Sequence, residues 1–453
     1  MKPLTQKPTQ EQPLIGWRFD MVLDPRQDLF RLAGVIDWAV LEAEFGKLYC
    51  PDNGRPGVPI RLMAGLHLLK HTFALSDEEV VLRWVQNPYY QHFCGEEYFQ
   101  HELPINPSQM TRWRKRIGGT GCEKLLQMTI EAGKRTKTIT ERSFEKVIVD
   151  TTVQPKAVAH PTDARLYRKI HGAMIRIAKE EVVELRQSYT RTMKGAFHQH
   201  ARYAKAKQFK RARKVQKQMK TLAGRVVRDV ARKLSDEAYA RHRGTLFLAE
   251  LILDQKRHSR NKIYSLHASE VECIAKGKAH KPYEFGVKVS LAVTHKEGFV
   301  VGIQSYPENP FDGHTLETQL EQVERMTGAM PRQTFVDKGY QGHGVAVERS
   351  RVLISGTRKL GPKLKRDLRR RSAIEPEIGH MKSDGLLGRN FLKGAQGDAM
   401  NSLLCGAGHN MRKILARIRA FLRLLSGDAR AAVQTLLLHL EAIRRDEPAS
   451  MAA

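Results

Sequence analysis

Two short apolar runs in this chain end in an aspartate: KVIVD closes at Asp150 and QTFVD at Asp337. Runs of β-branched and aromatic residues this short read as buried strands, so each carboxylate stands where a rigid strand gives out. An aspartate opening a turn after a strand is ordinary turn chemistry. The same arrangement twice in one strongly basic chain asks for more. A third acid is offered by RSAIEPEIGHMK, which carries Glu375 and Glu377. At about 100° per residue, Arg371, Glu375 and Lys382 fall along one helix face and Glu377 on the other side. Glu375 is therefore the expected third carboxylate, and its rival reading is a plain i,i+4 salt bridge to Arg371. Pro376 fits the first turn of a helix and marks where this one starts. Three carboxylates on rigid elements are the oxygen donors that hard divalent cations take. Two such ions, roughly 3.5–4 Å apart, are the means of hydrolysing a phosphodiester.

The charge agrees with such a substrate. The 453 residues carry 77 Lys+Arg against 48 Asp+Glu, a net charge of +29. Charge of that size argues for a polyanionic partner, nucleic acid before a membrane surface. A hydrophobic fraction of 41% excludes disorder for most of the chain, and the length suggests two to four domains. No apolar run is long enough to span a bilayer. The N-terminal MKPLTQKPTQEQPLIGW has no apolar core of the kind a secretory signal needs, so a cytoplasmic, nucleoid-associated protein is expected. Five dispersed cysteines, Cys50, Cys94, Cys122, Cys273 and Cys405, support neither a disulfide framework nor a zinc site and read as small buried hydrophobes.

Several elements must position these acids. Residues 1–140 read as a helical N-terminal domain. Leu62, Leu66 and Leu69 recur at helical spacing, and Ser76 with Glu79 forms a capping box. A further helix is opened by Asn106 and Pro107, closed by Gly118, and carries Arg112, Trp113, Arg114, Lys115 and Arg116. Residues 141–160 hold the first strand. Residues 161–275 are a basic helical insertion: between 161 and 260 there are 26 Lys+Arg and 9 Asp+Glu, and Arg191 to Lys220 contains no acid. Such a run is either a solvated face or a nucleic-acid contact, and the missing acids favour contact. Residues 276–398 supply the remaining strands. YEFGVKVSLAVT alternates as a half-buried strand and pairs with FVVGIQSY across a Lys-Glu-Gly turn. A helix at about 314–327 follows, then QTFVD, RVLISG, and a helix beginning near Arg366. Residues 399–453 are C-terminal helices with an apolar face of Met411, Ile414, Leu415, Ile418, Phe421, Leu422 and Leu425.

The order of strands, with acids on the first and fourth and a third on the helix that follows, resembles an RNase H-like core. In detail the chain resembles DDE transposases of the bacterial insertion-sequence IS5 group. VDTTVQPKAVAHPTDARL is similar to the segment around that group's first aspartate, NPFDGHTLE to its connector, and FVDKGYQG to the segment around its second aspartate. Arg371, Glu375 and Lys382 match its spacing of Arg, three residues, Glu, six residues, Lys. Leu368 stands where the group carries a tyrosine three positions before the arginine. GRPGVPIRLMAGLHLLKHTFALSDEEVVLRWVQNPYYQHFCG resembles the N-terminal domain of these enzymes, so the likeness spans most of the chain.

The resemblance implies an α/β fold: an RNase H-like mixed five-stranded sheet, an all-α N-terminal domain, and a basic helical insertion between the first two strands. It implies that Asp150, Asp337 and Glu375 hold two Mg²⁺ ions, or Mn²⁺ in their place, and cut and join double-stranded DNA at terminal inverted repeats and at a target. Arg371, Lys382 and Lys338 are then phosphate contacts. Arg112, Arg114 and Lys115 are candidates for a major groove, with Trp113 as that helix's core anchor. His314 is an auxiliary residue that contacts a base or phosphate or else packs at a helix start. Tyr340 is another, stacking on DNA or packing. A homodimer follows from bringing two ends together. The rival readings are an inactive DNA-binding repressor, an RNase H-like nuclease that cuts without joining, and a structural nucleoid or ribosomal protein.

Overall fold

The computed structural model describes residue 2 and residues 17–50, 53–54, 56–256, 258–275 and 282–445, the last 22 of these by backbone alone. The expected absence of a leader, the domain boundary at 275/276 and the Leu425 side chain lie outside the described residues. The first part is helical: α1 (Phe19–Val22), α2 (Asp28–Val35), α3 (Trp38–Gly46), α4 (Ile60–Thr72), α5 (Asp77–Gln86), α6 (Pro88–Phe93) and α7 (Ser108–Arg135). The Ser76–Glu79 capping box is present at the start of α5. Gly118 has φ 62° and ψ −164°, a backbone conformation open essentially to glycine alone, so α7 is broken where the sequence placed a helix end.

A sheet of six strands follows: β1 (Lys146–Pro155), β2 (Glu272–Ala275), β3 (Tyr283–Thr294), β4 (Val300–Tyr306), β5 (Gln333–Val336) and β6 (Arg351–Ile354). β1 is central. It pairs antiparallel with β3 and parallel with β5; β6 extends β5 in parallel, and β4 extends β3 antiparallel. The expected mixed sheet of five strands gains a sixth, β2, on the first residues of β3. Its four residues, ECIA, carry neither alternation nor a β-branched run, so pattern alone could not find them. β3 is also more buried than its alternation implied. Ser290 and Thr294, expected on a wet face, are fully buried, because β3 lies between β1 and β4 with helices on both faces.

Those helices are α12 (Leu316–Thr327) on one face and α15 (Gly394–Arg445) with α7 on the other. Gly302 on β4 faces Gln319 and Val323 of α12, while Val300 and Ile303 meet Gly406 of α15. One hydrophobic core runs through the N-terminal helices, the sheet and the first half of α15, from Leu29 through Trp84, Ile148, Leu291 and Phe335 to Ile418. The helix expected near Arg366 is two, α13 (Pro362–Arg369) and α14 (Ile374–Ser383), with a 3₁₀ turn at Arg370–Ala373 between them. Pro376 lies in the first turn of α14.

Between β1 and β2 stand α8 (Asp163–Glu180), α9 (Thr190–Lys205), α10 (Phe209–Lys233) and α11 (Asp236–Asp254). They close over a second core of their own, including Ile170, Met174, Met219, Val226, Val230 and Ile252. Among the described residues no helix is long and apolar enough to cross a membrane. None of the five cysteines is in a disulfide; Cys94, Cys122 and Cys405 are buried as expected, whereas Cys50 is exposed and Cys273 half-buried.

The segment that leaves β1 is pinned by a buried ion cluster. Lys156 Nζ is 2.7 Å from Glu270 and 2.9 Å from Asp398, and Asn390 also donates to Asp398. A buried cation shared by two acids is costly to remove, because it leaves both carboxylates uncompensated. Lys156→Ala is expected to lower unfolding free energy by about 3 kcal/mol, measured by denaturant titration, while Lys205→Ala on an exposed helix stays within about 0.5 kcal/mol. Equal, small effects would mean the cluster carries no net stabilisation.

Candidate active site

The parallel ladder between β1 and β5 sets Lys146 beside Gln333 and Ile148 beside Phe335. Two residues further on each strand come Asp150 and Asp337, so backbone hydrogen bonding brings the two strand-end acids to one edge of the sheet. Asp150 accepts from the Thr151 amide at 2.7 Å, and Asp337 caps the next 3₁₀ turn by accepting from the Lys338 amide at 2.7 Å. Arg371, mostly buried, reaches across: its guanidinium is 3.6 Å from Asp150 and 3.7 Å from Glu375. Arg371 thus links the strand acid to the helix acid.

Burial is the main cause that pushes the Asp150 carboxyl up to about 6. The Thr151 amide and Arg371 pull it back down, and the charges of Asp337 and Asp312 add to the rise. A half-buried carboxyl crowded by like charges is a place where a cation is wanted. The oxygen donors fit a hard divalent ion at Asp150 and Asp337. Glu375 is not drawn in with them. It is two-thirds exposed and engaged by Arg371, and among the described residues no three acidic, histidine or cysteine side chains converge to hold a metal.

Glu377 shows why Glu375 is the free member of the pair. Its carboxylate accepts from Lys413 at 2.8 Å and lies 3.2 Å from His409, both on α15. Burial pushes the Glu377 carboxyl up, but hydrogen bonds from His409 and Lys413 outweigh it and hold the carboxyl below its usual range. Glu377 anchors α14 to α15, and the opposite side of α14 carries Glu375.

Asp312 and Lys288 belong to the site and were missed in the sequence. Asp312 Oδ1 accepts from Thr151 Oγ1 at 3.0 Å and from Lys288 Nζ at 2.8 Å. Asp312 does open the 3₁₀ turn ahead of α12, which is how NPFDGHTLE reads, but its carboxylate faces Asp150. Lys288 looked like the wet side of an alternating strand.

The other expected residues are placed as follows. Lys338 is exposed, with its side chain passing over Gly356 at the end of β6. Lys382 lies two turns beyond Glu375 on α14, 3.8 Å from Glu284 of β3. His314 is exposed, its ring edge-on to Phe311. Tyr340 is buried, so it packs under the acids and presents no ring to a partner. Arg112 and Lys115 are exposed on α7. Arg114 is a correction: it is buried, with its guanidinium 2.8 and 2.5 Å from the two oxygens of Asp77, and Lys70 shares that carboxylate. A guanidinium spent on a buried pair cannot reach a groove. Trp113 is the core anchor, donating to the Tyr49 hydroxyl at 3.1 Å.

Comparison with known proteins supports a transposase-type domain in the N-terminal helices. Residues 18–116 match the family model "Transposase domain (DUF772)". The chain is also 58% identical over 192 residues to "Uncharacterized protein ORF8 in nfe locus" of Rhizobium meliloti, a match covering 42% of this chain and 92% of that protein. No solved structure matches the chain. The chain belongs to a transposase-related family. Its function is related to transposition, and DNA is its partner in general terms.

Two outcomes follow from the geometry. The folded-state pKa of Asp150, about 6, lies above the ordinary 3.8. Its contribution is therefore harmless below about pH 4 and lowers stability as pH rises through about 6. Asp150→Asn should raise stability by about 3 kcal/mol at pH 7 in EDTA and by little near pH 4; denaturant midpoints at the two pH values read this, and no gain at pH 7 would remove the strain. Glu377→Ala should cost about 2–3 kcal/mol, whereas Glu375→Ala should stay within about 0.5 kcal/mol. The reverse order, by thermal unfolding, would exchange the roles assigned to the two glutamates.

Proposed function

We propose that this protein is a DDE transposase of the insertion-sequence IS5 group, which cleaves the ends of its element and joins them to target DNA. The observation that carries this reading is the pairing of β1 with β5, which sets Asp150 level with Asp337 while Arg371 reaches from Asp150 to Glu375. The strand order β4-β3-β1-β5-β6, with parallel pairs on one side of β1 and antiparallel pairs on the other, supports an RNase H-like core. In that core α8–α11 are the insertion.

Asp150 and Asp337 would hold Mg²⁺, two ions with Glu375 completing the set, or Mn²⁺ in their place. The chemistry a bound pair supplies at such a site is activation of a water against the phosphodiester and stabilisation of the departing 3′ oxygen. For Glu375 to join the donors, Arg371 must let it go. An arriving phosphate gives Arg371 a better partner, because a guanidinium takes phosphate oxygens in bidentate fashion. Arg371 thus passes from the acids to the substrate as the substrate binds. Lys338 beside Asp337 and the exposed cations Lys363, Lys365, Arg366 and Arg369 of α13 follow the DNA backbone, a contact indifferent to sequence and weakened by salt. Terminal inverted repeats are read by α7, where Arg112 and Lys115 remain exposed. Two element ends held together call for a homodimer, working on nucleoid DNA in the cytoplasm.

The test is strand cleavage of a labelled duplex spanning the element boundary, with Mg²⁺ or Mn²⁺, for wild type beside Asp337→Asn. Nicking at the boundary is expected in the wild type and absent in the variant, with DNA binding retained within a few-fold. Binding without nicking in both would move the protein to the repressor reading.

A further inference from the structure

A second concave site lies away from the acids, where α8, α9 and the strap at 264–267 meet the end of β1. It is a pocket of about 750 Å³, a volume suited to a single small ligand or one unit of a polymer. One wall is a stripe of α8: Arg165, Arg168, Lys169, Gly172 and Arg176, positions that share a helical face. Facing it are Phe197 of α9 and Tyr264 of the strap. The Arg168 guanidinium lies 4.4 Å from the centre of the Phe197 ring, so one flat stacking surface is already assembled.

Three acids of this bundle are committed elsewhere. Glu181 is taken by Arg241 and His242, Asp229 by Arg232 and Lys233, and Asp163 by Gln216. Among the described residues no carboxylate lies within 4 Å of Arg165, Arg168, Lys169 or Arg176 by any ion pair found for these helices. Arg165 donates to the His160 carbonyl at 2.9 Å and Arg168 lies over Phe197, but none of the four exposed cations on this stripe is neutralised by an acid, and together they call for an anion from outside. Aromatic rings in the same pocket call for a flat group attached to it.

We propose that this pocket binds one unpaired nucleotide of a DNA strand, its base stacked against Phe197 and Tyr264 and its phosphates on the α8 cations. A base inside a duplex has no free face to offer a pocket wall, so the occupant is single-stranded or extruded. The choice of DNA rests on the transposase reading; the pocket chemistry does not. Val158, in the pocket wall, is eight residues beyond Asp150, a span of at most about 30 Å even fully extended. One strand can therefore touch both the acids and the pocket.

Gly172 gives a clean test. A Cβ built there meets nothing within 4 Å, and a helix interior favours glutamate over glycine, so Gly172→Glu keeps the fold while placing an acid in the mouth of the pocket. Binding of fluorescein-labelled dT10 and of a blunt duplex would be read by anisotropy in EDTA. Gly172→Glu is expected to weaken dT10 about tenfold or more and the duplex less than about twofold. Phe197→Ala should also weaken dT10 about tenfold, and Gly172→Ala should change neither. Equal weakening of strand and duplex by Gly172→Glu, or none, overturns the pocket. Displacement of dT10 by micromolar dTMP would make a free nucleotide the occupant, and tighter binding of rU10 would make it RNA; either result overturns the DNA-strand assignment. The dT10 measurement is made in EDTA and needs no cleavage, so a failed cleavage reading leaves it intact, and a failed pocket leaves cleavage untouched.

Discussion

The parallel ladder between β1 and β5 is the constraint on which the site depends. Backbone hydrogen bonds, not side-chain attraction, hold Asp150 level with Asp337, and the Asp337 charge so held disfavours ionisation of Asp150. The sheet can impose this because its centre is rigid: Ile148, Val149, Leu291 and Phe335 are almost fully buried, and a one-residue slip would turn each to the wrong face. Everything around the acids is arranged to offset what the ladder enforces. Arg371 lies between Asp150 and Glu375, and Lys288 pairs with Asp312, the further acid that adds to the crowding of Asp150. The site is thus a strained region held by a well-packed one, the usual relation between function and stability.

The sequence disclosed those parts whose cause is local. KVIVD and QTFVD are strands because their residues suit a buried ladder, and the Ser76 capping box and the Gly118 break are written in one or two residues each. Glu375 could be preferred over Glu377 from helical phase alone, although the reason that distinguishes them, the Lys413 and His409 contacts to Glu377, comes from residues more than thirty positions further along the chain. What was not legible is what long-range packing decides. Arg114 sits in a run of cations that looks like one exposed patch, yet its partner Asp77 is 37 residues earlier in the chain. Asp312 and Lys288 form an ordinary cap and an ordinary wet-face lysine until β3 and the 3₁₀ turn are brought beside β1. β2 exists only because β3 offers it an edge.

Two cores in one chain divide the work. The first ties the N-terminal helices to the sheet and α15, so a displacement of α7 is felt by the strands that carry the acids. The second belongs to α8–α11 and the segment around Ile263 that follows them, which leaves that bundle free to carry its excess of positive charge without destabilising the sheet. Self-repulsion among cations is tolerable where screening water reaches them, and the bundle keeps its cations on the outside over an apolar interior.

The two bodies are joined at the end of β1, where Lys156 lies between Glu270, just before β2, and Asp398, at the start of α15. That joint is short and charged where a hydrophobic one would slide. An ion cluster with hydrogen bonds from Asn390 to Asp398 and from the Gly394 amide to Glu270 has one good geometry, whereas packed methyl groups have several nearly equal ones. Asp150 and the pocket wall at Val158 lie on either side of Lys156 in the same stretch of chain. The distance between the acids and the cationic pocket is therefore set by a strand and a fixed joint, with no flexible linker in between. Under the proposed function, a DNA strand that touched both would meet a ruler, and where the pocket held it would set where the acids act.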